Sequence, residues 1–262
     1  MKWHRIWAII IRHLKTMQRD FNRLSGLLYW SLFDITIIGF TAFWLTQNGS
    51  ISESIKNSII AGTALWQIIV RANLDISVAL LEEILSHNMN NLFATPLTII
   101  EWITANTLVA FIFSMFIVVY AGIFVWIFYA FSLLKFGWLL IPLFFVLLFS
   151  GISMGFLAAS ILVYWGARIQ TIVWMMGFMF APLSGISYDI SILPFYLQFF
   201  SRMLPMSYIF EVMRMYLMHH VIAWDLLGKS FILVLVYLCI TLGLFLIMFE
   251  KSKEKGLARL VD

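Results

Sequence analysis

Leu81-Glu82-Glu83-Ile84-Leu85-Ser86-His87-Asn88-Met89-Asn90-Asn91-Leu92-Phe93-Ala94-Thr95-Pro96 separates two long apolar runs. Two adjacent acids, a His and three Asn cannot enter hydrocarbon without a large desolvation cost. The stretch must lie in water or against protein. Ile84, Leu85, Met89, Leu92 and Phe93 recur on roughly one helix face. The spacing predicts a short amphipathic helix between two membrane spans, either a docking surface or a solvated loop. Thr95 as N-cap and Pro96 as first helical residue would open the next span.

Working outward, the composition agrees with spans on both sides. Of 262 residues, 63% are hydrophobic and 11% charged, against about 25% charged in a soluble domain. No polar gap is long enough for a soluble catalytic domain. Aromatics reach 17%, as interfacial belts require. The single cysteine, Cys239, lies in an apolar run and excludes a Cys-based metal site or a disulfide framework. The net charge of +4 is read through membrane topology rather than nucleic-acid binding. The first 23 residues are too charged for a cleavable signal core.

The fold expected is an all-α polytopic membrane protein. Residues 1–25 form an amphipathic interface helix, with Trp3, Ile6, Trp7, Ile10, Leu14, Met17 and Phe21 on its membrane face. Residues 26–250 hold six spans: about Gly26–Thr46, Ser58–Val78, Pro96–Tyr129, Trp138–Tyr164, Gln170–Ile186 and Leu226–Phe249. Residues 80–97 form the polar segment, and 251–262 a basic tail. Gly151, Gly155 and Ala159 make a small-residue ridge that admits another helix closely, inside the subunit or between subunits. Between the fifth and sixth spans, residues 189–223 contain Pro194, Pro205, Glu211 and Arg214. Two pieces there, Phe195–Leu204 and Met206–His220, are too short to cross about 30 Å. They read as paired re-entrant or interfacial helices.

Six spans place both termini on one side. With the termini inside, inner segments hold twelve basic residues, Arg23, Arg71, Arg168 and Arg259 among them, against five outside. The positive-inside rule then makes the termini and the 80–97 segment cytoplasmic and the paired short helices outward-facing.

Asp34, Arg71 and Asp75 lie within spans. Counting from the assumed boundaries at 1.5 Å per residue puts Asp34 and Arg71 at similar depth. Asp75 stands one turn from Arg71 on the same face. The cluster is either a polar patch lining a pathway or an ion pair joining two helices.

Other motifs fail on spacing. Gly228-Lys229-Ser230 lacks the earlier glycine of a phosphate loop, since position 223 is Ala. Adjacent His219 and His220 point to different helix faces and lack a nearby acidic or Cys partner. No catalytic or metal-binding residue is assigned. A stand-alone intramembrane enzyme or a membrane scaffold is the competing class.

Together the basic N-terminal helix, the six spans and the Glu-rich segment ending Asn90-Asn91-Leu92-Phe93-Ala94-Thr95-Pro96 carry a resemblance. So do Pro182-Leu183-Ser184-Gly185, Leu193-Pro194 and Pro205-Met206-Ser207-Tyr208-Ile209-Phe210-Glu211-Val212-Met213-Arg214. In this order the chain resembles the membrane-spanning (permease) subunits of ABC-2 type ATP-driven exporters, over nearly its whole length. The Arg71–Asp75 pair falls outside that pattern. The resemblance implies a dimer, with itself or a homologous permease, in the cytoplasmic (inner) membrane. It implies separate cytoplasmic ATPase subunits that carry ATP and Mg, with no cofactor on this chain. Glu82, Glu83, His87, Asn91, Phe93 and Pro96 would form the coupling surface, and the outer short helices would close the exit. The cargo implied is a polysaccharide, a glycolipid or a hydrophobic amphiphile.

Overall fold

The computed structural model describes residues 1–256, apart from the side chains of Asn22, Arg23, Leu27, Asn90 and Phe93. The expectations for Arg23, Phe93 and Arg259 therefore lie outside the described residues. The chain is 85% helical, and the described residues contain no strand. Among the described residues ten α-helices follow in order: α1 Trp3–Arg19, α2 Phe21–Gln47, α3 Glu53–Leu85, α4 Met89–Ala94, α5 Ile99–Tyr129, α6 Leu140–Trp165, α7 Thr171–Met179, α8 Phe195–Arg202, α9 Pro205–His219 and α10 Trp224–Glu254.

Among the described residues, four helical stretches are long and apolar enough to cross a membrane: Leu24–Gln47, Ile99–Tyr129, Leu133–Trp165 and Trp224–Glu254. The protein is thus all-α and has the helices of a membrane-embedded chain. Two of the six expected spans differ from these four, for opposite reasons. α3 has 33 residues, about 50 Å at 1.5 Å per residue. Its length suffices, but it carries Gln67, Arg71, Asn73 and Asp75 and lies largely buried among the other helices. α7 is apolar but stops after 9 residues. Pro182 has no N–H to continue the helix and disfavours helical backbone at Ala181. The chain instead takes a 3-10 turn at Ala181–Leu183 and then leaves helical geometry, with Gly185 at φ +65°.

α3 is the axis of the bundle. Gly151 and Gly155 of α6 face it so closely that a Cβ at Gly151 would come 2.6 Å from the Ile69 carbonyl oxygen. At Gly155 it would come 3.0 Å from that of Asn73. The small-residue ridge is therefore used within the subunit. On the opposite edge, Tyr129 of α5 lays its ring against Gly39 of α2 and donates to the Ile35 and Thr36 carbonyls at 3.3 and 3.2 Å.

Ring stacking fixes the ends of the bundle. Trp102, near the start of α5, stacks on Phe245 late in α10 at 5.8 Å. Trp138 and Trp224 stack at 5.4 Å where α6 and α10 begin. Lys255 reaches the Tyr164 hydroxyl at 3.2 Å and so joins the ends of α10 and α6. With α1 packed on the start of α5, both described ends of the chain lie at one end of the bundle.

Candidate functional site

Polar side chains along α3 form a seam inside the bundle. Arg71 donates from Nε to Asp75 at 2.9 Å and also from Nη2, a bidentate pair within one helix. Its guanidinium also lies 5.0 Å from the centre of the Phe113 ring, a cation–π contact. Asn73 donates to the Val173 carbonyl of α7 at 3.2 Å. Gln67, one turn before Arg71, donates to the Asp34 carboxylate of α2 at 3.4 Å.

The expected pairing of Asp34 with Arg71 is therefore corrected. Among the described residues Asp34 meets Gln67, and Asp75 is the acid that pairs with Arg71. Both helices start five residues before the expected spans, α2 at Phe21 rather than Gly26 and α3 at Glu53 rather than Ser58, so counting from apolar boundaries does not set side chains level.

Asp34 opens into a cleft of about 240 Å³ between α2 and α3, covered by the segment after α7. Trp66, Gln67, Thr63, Phe178 and Tyr188 contribute to its wall. The cover is fixed by close contacts. A Cβ at Gly62 would come 2.5 Å from the Ile186 carbonyl oxygen. Ser201 and Ser207 both donate to the Leu183 carbonyl, at 2.5 and 3.2 Å.

The paired short helices appear at the expected places. Pro194 is the N-cap of α8 and Pro205 the first residue of α9. Arg214 is buried and donates to the Gly185 carbonyl, while its Nη2 has no hydrogen-bond partner among the described residues. Asp189 and half-buried Glu211 supply the nearby negative charge. This link from α9 to the cover lay unread in the sequence, where Gly185 and Arg214 stood only as separate motif letters.

At the end that carries α1, two acids bind three elements together. Glu83 is buried in the last turn of α3, pairs with Arg12 of α1, and accepts from Asn88 at 2.6 Å. Glu101 of α5 accepts from the Lys2 backbone at 2.7 Å and from Arg5 at 3.4 Å. It also completes a capping box with Thr98. Arg5 donates to the Pro96 carbonyl as well.

These contacts correct three expectations. The N-cap of the third long span is Thr98, because Glu101 stands three residues after it; Thr95 caps α4 instead. Residues 81–96 are two pieces rather than one helix. α3 runs on through Leu85, and α4 restarts after a turn in which His87 takes φ 54°. The break puts Ile84 and Met89 inside and leaves Leu85 48% exposed. Glu83 faces inward, so it is no part of an outer docking surface. His87, Asn91 and Pro96 are exposed, and Glu82 is half-buried.

α1 also divides its apolar residues. Ile6, Ile9 and Ile10 pack into the bundle, while Trp3, Trp7 and Ile11 stay exposed. The stripe expected to face lipid serves protein on one edge and leaves the other free. No family model and no curated protein matches the chain.

Proposed function

We propose that the chain is the membrane-spanning subunit of an ATP-driven exporter of the ABC-2 type, working as a dimer with separate ATPase subunits. The observation that carries this reading is the construction of the α1 end. There the ends of α3 and α5 are bound to α1 through buried acids, and short α4 sits between them with His87 and Asn91 exposed. A force applied at α4 would reach α3, and through α3 the polar seam and the cleft. Such a lever has a use only if something outside the chain pushes on it.

The same reading takes the chain across the membrane six times. α3 crosses with its polar residues screened by its neighbours. α7 with the irregular segment after it makes the fifth crossing. That segment is covered by α3, α8 and α9, the condition under which non-helical backbone is tolerated at membrane depth. α8 exposes Phe195, Tyr196, Phe199 and Phe200, as a helix lying at the outer interface would. The common end of both described chain ends is then cytoplasmic, in agreement with the charge distribution. Exposed Trp30, Phe33 and Trp44 of α2 and Trp126 of α5 face lipid or the second copy.

Co-purification of a cytoplasmic ATPase with this chain from native membranes, followed by substrate-stimulated ATP hydrolysis, tests the reading. The double variant Leu85→Asp/Asn91→Glu should insert normally and lose the ATPase. Retention of the ATPase at the wild-type level would remove α4 from the coupling surface. Absence of any ATPase partner would remove the export reading itself.

A further inference from the structure

Asp34 is the one formal charge on the wall of the cleft. Among the described residues its side chain meets a single hydrogen-bond donor, the neutral Gln67 amide, at 3.4 Å. The nearest cation along α3, Arg71, already has both Nε and Nη2 on Asp75. A carboxylate at this depth, with no positive partner, is a costly arrangement that a cation would relieve. The rest of the wall suits a particular kind of cation. Trp66 is buried, Phe178 and Tyr188 add two further rings, and Thr63 has spent its hydroxyl proton on the Ile59 carbonyl at 2.9 Å. Aromatic faces beside an acid attract an alkylammonium, whose charge is spread over methyl groups and which needs few hydrogen bonds. At about 240 Å³ the space falls below the 300–1,000 Å³ of sites for drug-sized ligands. It accommodates a small ammonium group or the head of a longer amphiphile, and no oligosaccharide.

We propose that this cleft binds a lipophilic organic ammonium, with Asp34 as its counter-ion and Trp66, Phe178 and Tyr188 as its aromatic walls. Identifying that cation as the exported cargo rests on the export reading; the binding itself does not.

The test uses the purified full chain in detergent, without ATPase or ATP, and labelled benzyltrimethylammonium as the probe. Saturable binding is expected, with benzenesulfonate, a similar-sized anion, failing to compete. Asp34→Asn keeps the size of the side chain and should weaken binding at least about tenfold. Trp66→Leu should weaken it about three- to tenfold. Asp34→Glu, which keeps the charge, should bind more tightly than Asp34→Asn. Absence of saturable binding, competition by benzenesulfonate, or an unchanged Asp34→Asn variant overturns the proposal. Should Asp34→Asn fail to elute as folded protein, Trp66→Leu and the anion competition still decide. Binding without an ATPase partner would leave the site standing and the export reading fallen; ATPase coupling without binding would do the reverse.

Discussion

The α1 end and the seam along α3 both bury charge, but they neutralise it differently. At the α1 end each acid pairs across elements, Arg12 of α1 with Glu83 of α3 and Arg5 of α1 with Glu101 of α5. In the seam Arg71 pairs with Asp75 of its own helix, four residues away. A pair across elements resists their separation. A pair within one helix hides a charge without itself tying that helix to a neighbour. Charge is thus paired across elements at one end of the bundle and within a single helix in its middle.

The largest effect should come from breaking the seam pair on its acidic side. Asp75→Ala leaves Arg71 unpaired inside the bundle, and arginine does not shed its proton. Removing one partner of a buried pair costs about 3–5 kcal/mol. Arg71→Leu should cost less, because the remaining Asp75 carboxyl can take up a proton and persist as a neutral group. Asp34→Ala should barely change stability, since it leaves the Arg71–Asp75 pair intact. Thermal unfolding of the three variants in detergent gives the order. If Asp34→Ala matches Asp75→Ala, the two acids share Arg71 after all.

The α1 end should show a smaller loss but a longer reach. The Arg12 side chain is 41% exposed, so a double-mutant cycle of Arg12→Ala with Glu83→Gln should give about 1 kcal/mol of coupling. Limited proteolysis should meanwhile release α1 from the bundle. The exchanged pair Arg12→Glu/Glu83→Arg should restore protection. A coupling near zero with α1 still protected would mean that Ile6, Ile9 and Ile10 hold the helix without the ions.

These two regions were legible to different degrees. Helix type and order could be read because apolar runs and prolines act locally: Pro194 and Pro205 mark α8 and α9 within a residue. Partners could not. Glu82 and Glu83 look equivalent in the sequence, yet only the fold shows that Glu83 turns inward to Arg12, 71 positions away. The α7 break was partly legible, since Pro182 was visible and its effect on the helix before it follows from proline chemistry. Depth along a span was the weakest inference. It rests on span boundaries that apolar composition blurs by several residues, and Asp34 meets Gln67 rather than Arg71. The cleft itself left no pattern, because its wall comes from α2, α3 and the segment after α7.

A further carboxylate, outside both regions, sharpens the contrast with the smallest expected effect. Asp189 caps the 3-10 turn Ile190–Ile192 by accepting from the Ser191 backbone at 2.8 Å. That bond, with a lesser pull from Arg214, holds its carboxyl below the usual aspartate range. A folded-state value below the unfolded one adds stability that is fully present above the unfolded value, about 3.9. The contribution fades as pH falls through the lower, folded value. Asp189→Asn keeps an N-cap acceptor and should cost a few tenths of a kcal/mol at neutral pH. It should also flatten the decline in melting temperature below about pH 4. Asp189→Ala should cost about 1 kcal/mol, with the same loss of pH dependence. Because this acid engages its own turn, neither variant should loosen α1 or change proteolysis at that end. If Asp189→Asn leaves the acid limb unchanged, the acid sensitivity belongs to the buried pairs of the two main regions, and the cap is a local contact without titrating consequence.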